Sequence, residues 1–136
     1  MANLLHKSIT DVILKVYYDV YNELGYGFLE KVYQNAMYFE LKSLGYKVEA
    51  QKQIKVYFKR QLVGEYYSDL IVEDKVIVEL KATELLMNVH VAQIMNYLKA
   101  TPIEVGVLLN FGEEPEFKRI IYTNDRKKTG TKSSLS

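Results

Sequence analysis

Cysteine is absent from the 136 residues, and histidine occurs only as His6 and His90. The first absence excludes disulfides and thiolate zinc sites. The second excludes a metal cluster built on imidazoles. A metal bound by this chain would have to be held mainly by oxygen, which favours Mg2+ or Mn2+. An excess of either charge is also missing: 18 Lys and Arg face 17 Asp and Glu, a formal net charge of +1. Such a balance gives no global signature of a nucleic-acid binder and weakens that class only slightly. Long apolar runs are absent too. None approaches membrane-spanning length, and the opening MANLLHK lacks the apolar core of a signal peptide. The expectation is a cytoplasmic protein with no membrane contact.

What is present is one domain's worth of chain, 49% hydrophobic, ample for a single core. Apolar residues at helical spacing from Leu5 to Leu24 predict a first helix over about Leu4 to Leu24, stopped by Gly25. Ser8 and Asp11 suit a capping box if that helix begins late. A second helix is expected from Phe28 to Leu44, with Leu29, Val32, Ala36, Phe39 and Leu44 buried and Glu30, Tyr33 and Gln34 on another face. Tyr46 to Phe58 alternates like a strand, with an interruption near Ala50 to Lys52. Lys59-Arg60 reads as a hairpin turn into Leu62 to Val72, and Val76 to Lys81 as the next strand. A third helix follows over Val89 to Ala100, with Val91, Ile94, Met95 and Leu98 inward and His90, Gln93 and Tyr97 on its other side. Pro102 breaks it. Ile103 to Asn110 is apolar enough for a buried central strand, and Phe117 to Tyr122 is a last strand. Residues 1–122 are thus read as one domain and 123–136 as a basic, disordered tail.

The informative stretch is YYSDLIVEDKVIVELKA, from Tyr66 to Ala82. It reads as two apolar strands joined by an acidic turn, with Asp69 on the first strand and Glu79 and Lys81 sharing a face of the second. Charges in apolar strands are costly unless they meet a metal or each other. Whether the acids converge depends on register. A two-residue turn, Glu73-Asp74, sets Asp69 opposite Val78 with Glu79 facing away. A three-residue loop, Glu73-Asp74-Lys75, pairs Val72 with Val76 and sets Asp69 opposite Glu79. A shared metal needs the longer loop or a bulge to the same effect.

Each candidate has a plainer explanation. Glu-x-Lys alone arises by chance roughly once in two chains of this length. An exposed edge or a structural ion pair would account for Glu79 and Lys81. Glu30 alone is a first-turn glutamate favoured by the helix dipole, and Tyr33 alone is packing. His90, Gln93 and Tyr97 could form a solvated helix face. Lys52, Lys55, Lys59 and Arg60 suit the approach of a nucleic acid and equally suit exposed strand positions.

Taken together the motifs are more specific. GFLEKVY, from Gly27 to Tyr33, fits the pattern that names the GxxExxY family of small bacterial and archaeal proteins. The resemblance continues in order through YYSDLIVEDKVIVELKA, HVAQIMNYLKAT and VGVLLNFG, over roughly Ile9 to Tyr122. That family is placed in the PD-(D/E)XK superfamily, with a restriction-endonuclease-like fold. The resemblance implies an α/β (α+β) domain with an αβββαβ core, a mixed central sheet flanked by helices, and here an extra N-terminal helix. It also implies that Asp69 and Glu79 are metal ligands, that Lys81 is the catalytic lysine, and that Glu30 is the helical acid such folds often add to the metal site. Gln93 and Tyr97 match the polar positions on the helix after the E-x-K strand. Ser68 stands where the superfamily's name has proline, a frequent departure.

The implied activity is Mg2+- or Mn2+-dependent hydrolysis of a nucleic-acid backbone, with DNA ahead of RNA. The alternative is a non-catalytic nucleic-acid-binding or protein-assembly module that keeps the fold. A further class is a structural protein whose acids and lysine form a buried ion-pair network. A homo-oligomer or a protein partner is compatible with each.

Overall fold

The computed structural model describes residues 5–127. Its elements are α1 (Lys7–Leu24), α2 (Glu30–Ser43), β1 (Val48–Phe58), β2 (Gln61–Val72), β3 (Val76–Lys81), α3 (Asn88–Lys99), β4 (Val105–Phe111) and β5 (Pro115–Ile121). The strands form one sheet in the order β1-β2-β3-β4-β5. Only the β3–β4 pair is parallel, because α3 carries the chain across between them. This is the expected αβββαβ core with a helix before it and an added edge strand after it.

Helices cover both faces of the sheet, which is why β3 and β4 are apolar without alternation. Leu70, Val72, Val76, Val78, Leu80, Val105, Val107 and Leu109 meet Ile13, Val16, Tyr17, Tyr33, Met37 and Leu41 of α1 and α2. On the opposite face Ile71, Ile77 and Leu108 meet Ile94, Tyr97 and Leu98 of α3. All seven residues of β4 are buried, as its sequence requires.

The helix ends differ from expectation in instructive ways. α1 is preceded by His6, at φ 55, and no side chain caps it. Ser8 and Asp11 therefore form no capping box; Asp11 instead takes an i,i+4 contact with Lys7 at 2.6 Å. Leu4 lies outside the described residues. α2 buries Tyr33, Gln34, Met37 and Leu41 rather than the expected side. Leu29 is 81% and Phe39 73% exposed, and Val32 and Leu44 are exposed as well. The stripe at 33, 37 and 41 is as regular as the one at 29, 32, 36 and 39. Packing against the Phe111 ring and the sheet chooses between them. Of the supposed tail, residues 123–127 are ordered. Asn124–Arg126 make a short 3-10 turn, and the buried Lys127 ammonium donates to the carbonyls of Thr101 (2.8 Å) and Ile103 (2.7 Å). Residues 128–136 lie outside the described residues.

The β2–β3 connection is the three-residue loop. Val72 pairs with Val76, Ile71 with Ile77 and Leu70 with Val78. Glu73 and Asp74 adopt left-handed φ values of 55 and 57, which side chains resist. Lys47 holds them there: its backbone N–H donates to Glu73 Oε2 at 2.6 Å, and its ammonium meets Asp74 Oδ2 at 2.7 Å. The Lys59-Arg60 turn also forms, with φ 48 and 67, the two left-handed residues of a type I′ hairpin.

Candidate active site

Beyond Leu70 and Val78 the strands β2 and β3 stop pairing through their backbones. The two acids take over the ladder at that point. Asp69 N–H donates to Glu79 Oε2 at 2.8 Å, and Leu80 N–H donates to Asp69 Oδ2 at 2.8 Å. Each carboxylate thus reaches the other strand's backbone with one oxygen and keeps its second oxygen for other contacts. Lys81 follows Glu79 by two residues and is half-buried on the same face.

The environment is unfavourable to charge. Glu79 is 4% exposed. Burial, and then the Asp69 charge, push its carboxyl up to about 8; the Asp69 N–H and Lys81 oppose the shift, and Glu30 adds to it. Burial likewise raises Asp69. The Leu80 N–H counters most, Glu30 raises further, and Lys81 and the Gln51 amide lower. Glu30 therefore acts on both acids, although its helix precedes them by some forty residues of sequence.

The GxxExxY residues explain how Glu30 gets there. Gly27 takes a φ of 109, open to glycine, in the link between α1 and α2. Tyr33 is fully buried, stacks on Phe111 with centroids 4.1 Å apart, and donates its hydroxyl to Gly25 O at 2.6 Å. The same hydroxyl accepts the Phe28 N–H at 3.2 Å. Tyr33 therefore ties the link to the core and fixes the first turn of α2, where Glu30 sits.

From the α3 side, Gln93 Nε2 donates to the Tyr97 hydroxyl at 3.2 Å. Burial first, and then the charges of Glu79 and Asp69, push the Tyr97 phenol up to about 12, so that ring stands beside the acids. Tyr97 belongs to the core face of α3, not to its far side as expected. His90 parts from the other two: its Nδ1 accepts the Met87 N–H at 3.0 Å and closes the start of the helix.

Several contributors escaped the sequence reading as site residues. Gln51 stands directly across from Asp69, between the pairs Ala50↔Leu70 and Lys52↔Ser68, with a left-handed φ of 54. It is the interruption expected in this strand, and its amide donates to the buried Gln34 at 2.7 Å. Here the hairpin also changes face. Val48 packs toward α1 and α2 while Ile54, an even number of residues on, packs toward α3. Buried Asn110, paired with Lys81, accepts the Thr83 N–H at 3.0 Å and donates to Thr83 O at 2.9 Å. It pins the chain just after the lysine. The broken alternation near Gln51 was a visible signal; nothing local marked Asn110.

The chain's residues 7–120 match the model of the PD-(D/E)XK nuclease superfamily. The chain belongs to the PD-(D/E)XK nuclease superfamily. Among solved structures, the crystal structure of SSO0001 is similar in fold, with a TM-score of 0.52 and 15% identity, over 71% of this chain and 52% of that one. The chain thus spans about half the length of that protein. No curated protein matches it. Nucleases of the PD-(D/E)XK superfamily generally use divalent metals.

The residues fit such a cation in kind. Asp69 and Glu79 offer hard oxygen donors, each with one oxygen beyond its backbone hydrogen bond, and Glu30 lies close enough to act on both. Among the described residues no three acidic or histidine side chains gather at metal-binding spacing. The arrangement is thus two carboxylates with a third acid at longer range. Among the described residues no helix is long and apolar enough to cross a membrane.

Proposed function

We propose that this chain is a metal-dependent phosphodiesterase of the GxxExxY type that hydrolyses a nucleic-acid backbone, with DNA ahead of RNA. The observation that carries the proposal is the cross-strand pair itself. Glu79 is buried and Asp69 half-buried, each reaches the other's strand, and the Asp69 charge adds to burial in pushing the Glu79 carboxyl upward, with Lys81 alongside. Buried acids arranged so are costly unless a cation joins them. Asp69 and Glu79 would hold Mg2+ or Mn2+, with Glu30 as a third acid, directly or through water. The chemistry a bound divalent cation supplies at such a site is neutralisation of the phosphate and acidification of water. Lys81 presents its ammonium to the negative charge that grows on the phosphoryl oxygens during attack. Leu80 N–H and Gln51 fix the direction of the Asp69 carboxylate, and Gln93 and Tyr97 position the substrate backbone or the lysine.

The test is a cleavage panel on single- and double-stranded DNA and RNA with Mg2+ or Mn2+. The expected outcome is metal-dependent cleavage abolished in Lys81→Ala. Metal should also raise the melting temperature by mass action, and Asp69→Ala should remove that effect. The second reading is a non-catalytic nucleic-acid-binding module that keeps the fold. Binding of nucleic acid without cleavage by any metal-loaded form would select it.

A further inference from the structure

A pocket of about 460 Å³ lies between α3 and the β1–β2 hairpin, within the ~300–1,000 Å³ common for small-ligand sites. Tyr66 and Tyr97 form its aromatic wall, with ring centroids 5.7 Å apart and planes tilted by 47°. Val56, Val89 and Ala92 add apolar sides, and the amides of Gln93 and Asn96 face the same space. Tyr66 is 48% exposed, a large ring left open on a half-covered wall.

The pocket adjoins the acid pair through Tyr97. Tyr97 lines it and also stands beside Glu79 and Asp69, and Gln93 lines it while holding the Tyr97 hydroxyl. Nucleic acid whose phosphate lies at the acids can carry its neighbouring nucleotide past the edge of the buried Tyr97 to the open face of Tyr66. Aromatic faces take up bases by stacking, and an amide offers both a donor and an acceptor to a base edge. Lys99 also borders the pocket, with its ammonium over the Tyr122 ring at 5.8 Å. A paired, stacked base cannot enter; extrusion from a duplex costs a few kcal/mol, whereas an unpaired base enters at little cost.

We propose that this pocket holds one unstacked nucleobase of the strand being cut, so that the protein prefers single-stranded or unpaired nucleic acid. The proposal rests on the nuclease reading for where the phosphate lies, but its test does not need turnover. The experiment is equilibrium binding in EDTA of a fluorescent 12-nucleotide single strand, the matching duplex and a nucleoside monophosphate. Wild type is compared with Tyr66→Ala and with Ala92→Trp, which fills the pocket from an exposed helix position. Circular dichroism confirms that each variant is folded.

The expected result is tighter binding of the single strand than of the duplex. Each substitution should weaken the single strand by roughly 5- to 150-fold, the range carried by one base stack, and leave the duplex unchanged. Equal single-strand affinity in wild type and Ala92→Trp would overturn the proposal. A monophosphate that displaces the strand at matching concentration would overturn its assignment to a strand and point to a free nucleotide. Cleavage by wild type with no effect of Ala92→Trp on binding rejects the pocket and leaves the nuclease reading intact. Pocket-dependent binding without cleavage by any metal form does the reverse.

Discussion

Burial of Glu79 imposes a pH dependence on the metal-free protein. Its carboxyl titrates near 4.5 when unfolded and is pushed up to about 8 in the fold, by burial and by Asp69. Between those values the folded chain keeps a proton that the unfolded chain has released, so stability falls as pH rises. The contribution is complete below pH ~4.5 and is lost as pH climbs through about 8. In EDTA, the unfolding free energy should drop across that window by an amount on the order of a few kcal/mol. Glu79→Gln should remove most of the slope, and Asp69, also raised, should carry the remainder. A flat profile in wild type would mean that the acid is already paired with a charge. The sequence disclosed Asp69, Glu79 and Lys81 because charge in an apolar strand is conspicuous. It could not decide their convergence, since a one-residue change of loop reverses the faces. What decides it is Lys47, a distant residue that holds Glu73 and Asp74 in left-handed conformations.

Whole elements carry the other parts of the site, and here the legibility was uneven. The strands of β2 to β4 were plain because apolar runs between turn residues have few alternative readings. The buried side of α2 was not, because two apolar stripes compete and only contact with Phe111 and the sheet selects the one holding Tyr33. That selection also turns Glu30 toward the acids. Glu30→Gln should stabilise the metal-free protein by relieving repulsion, and should weaken both Mn2+ binding and cleavage. Thermal unfolding of both proteins with EDTA and with Mn2+ measures this. Identical metal-induced stabilisation and identical cleavage would reduce Glu30 to a helix-start residue. The exit of β3 offers a second element-level test. A Cβ at Gly112 would stand 2.4 Å from Thr83 O and 2.9 Å from Asn110 Nδ2, against the clamp that follows Lys81. Gly112→Ala should therefore cost about 1–3 kcal/mol in urea unfolding. Cleavage should fall as well, because the backbone carrying Lys81 must shift. Full stability in this variant would show that the clamp yields freely.

Across the whole molecule, three strands are built in from both sides and one hairpin reaches past them. β1 and β2 stay paired out to Phe58 and Gln61, while β3 accompanies β2 only from Leu70 to Val72. Local opening energies follow the density of surrounding contacts. Backbone amides of the outer hairpin should therefore exchange with deuterium well before those of β3 and β4, and an order reversed or uniform would contradict this division. The fulcrum of that hairpin is the pair Gln51 and Asp69, where both strands turn over. At about 3.3 Å per residue, the beam from Asp69 to Gln61 is roughly 26 Å long, so a bend of about 5° sweeps its tip by roughly 2 Å. Glu79 and Lys81 are anchored to β4 and do not follow. Whatever weight settles on Lys59 and Arg60 is thus converted, by leverage, into torque on a single carboxylate.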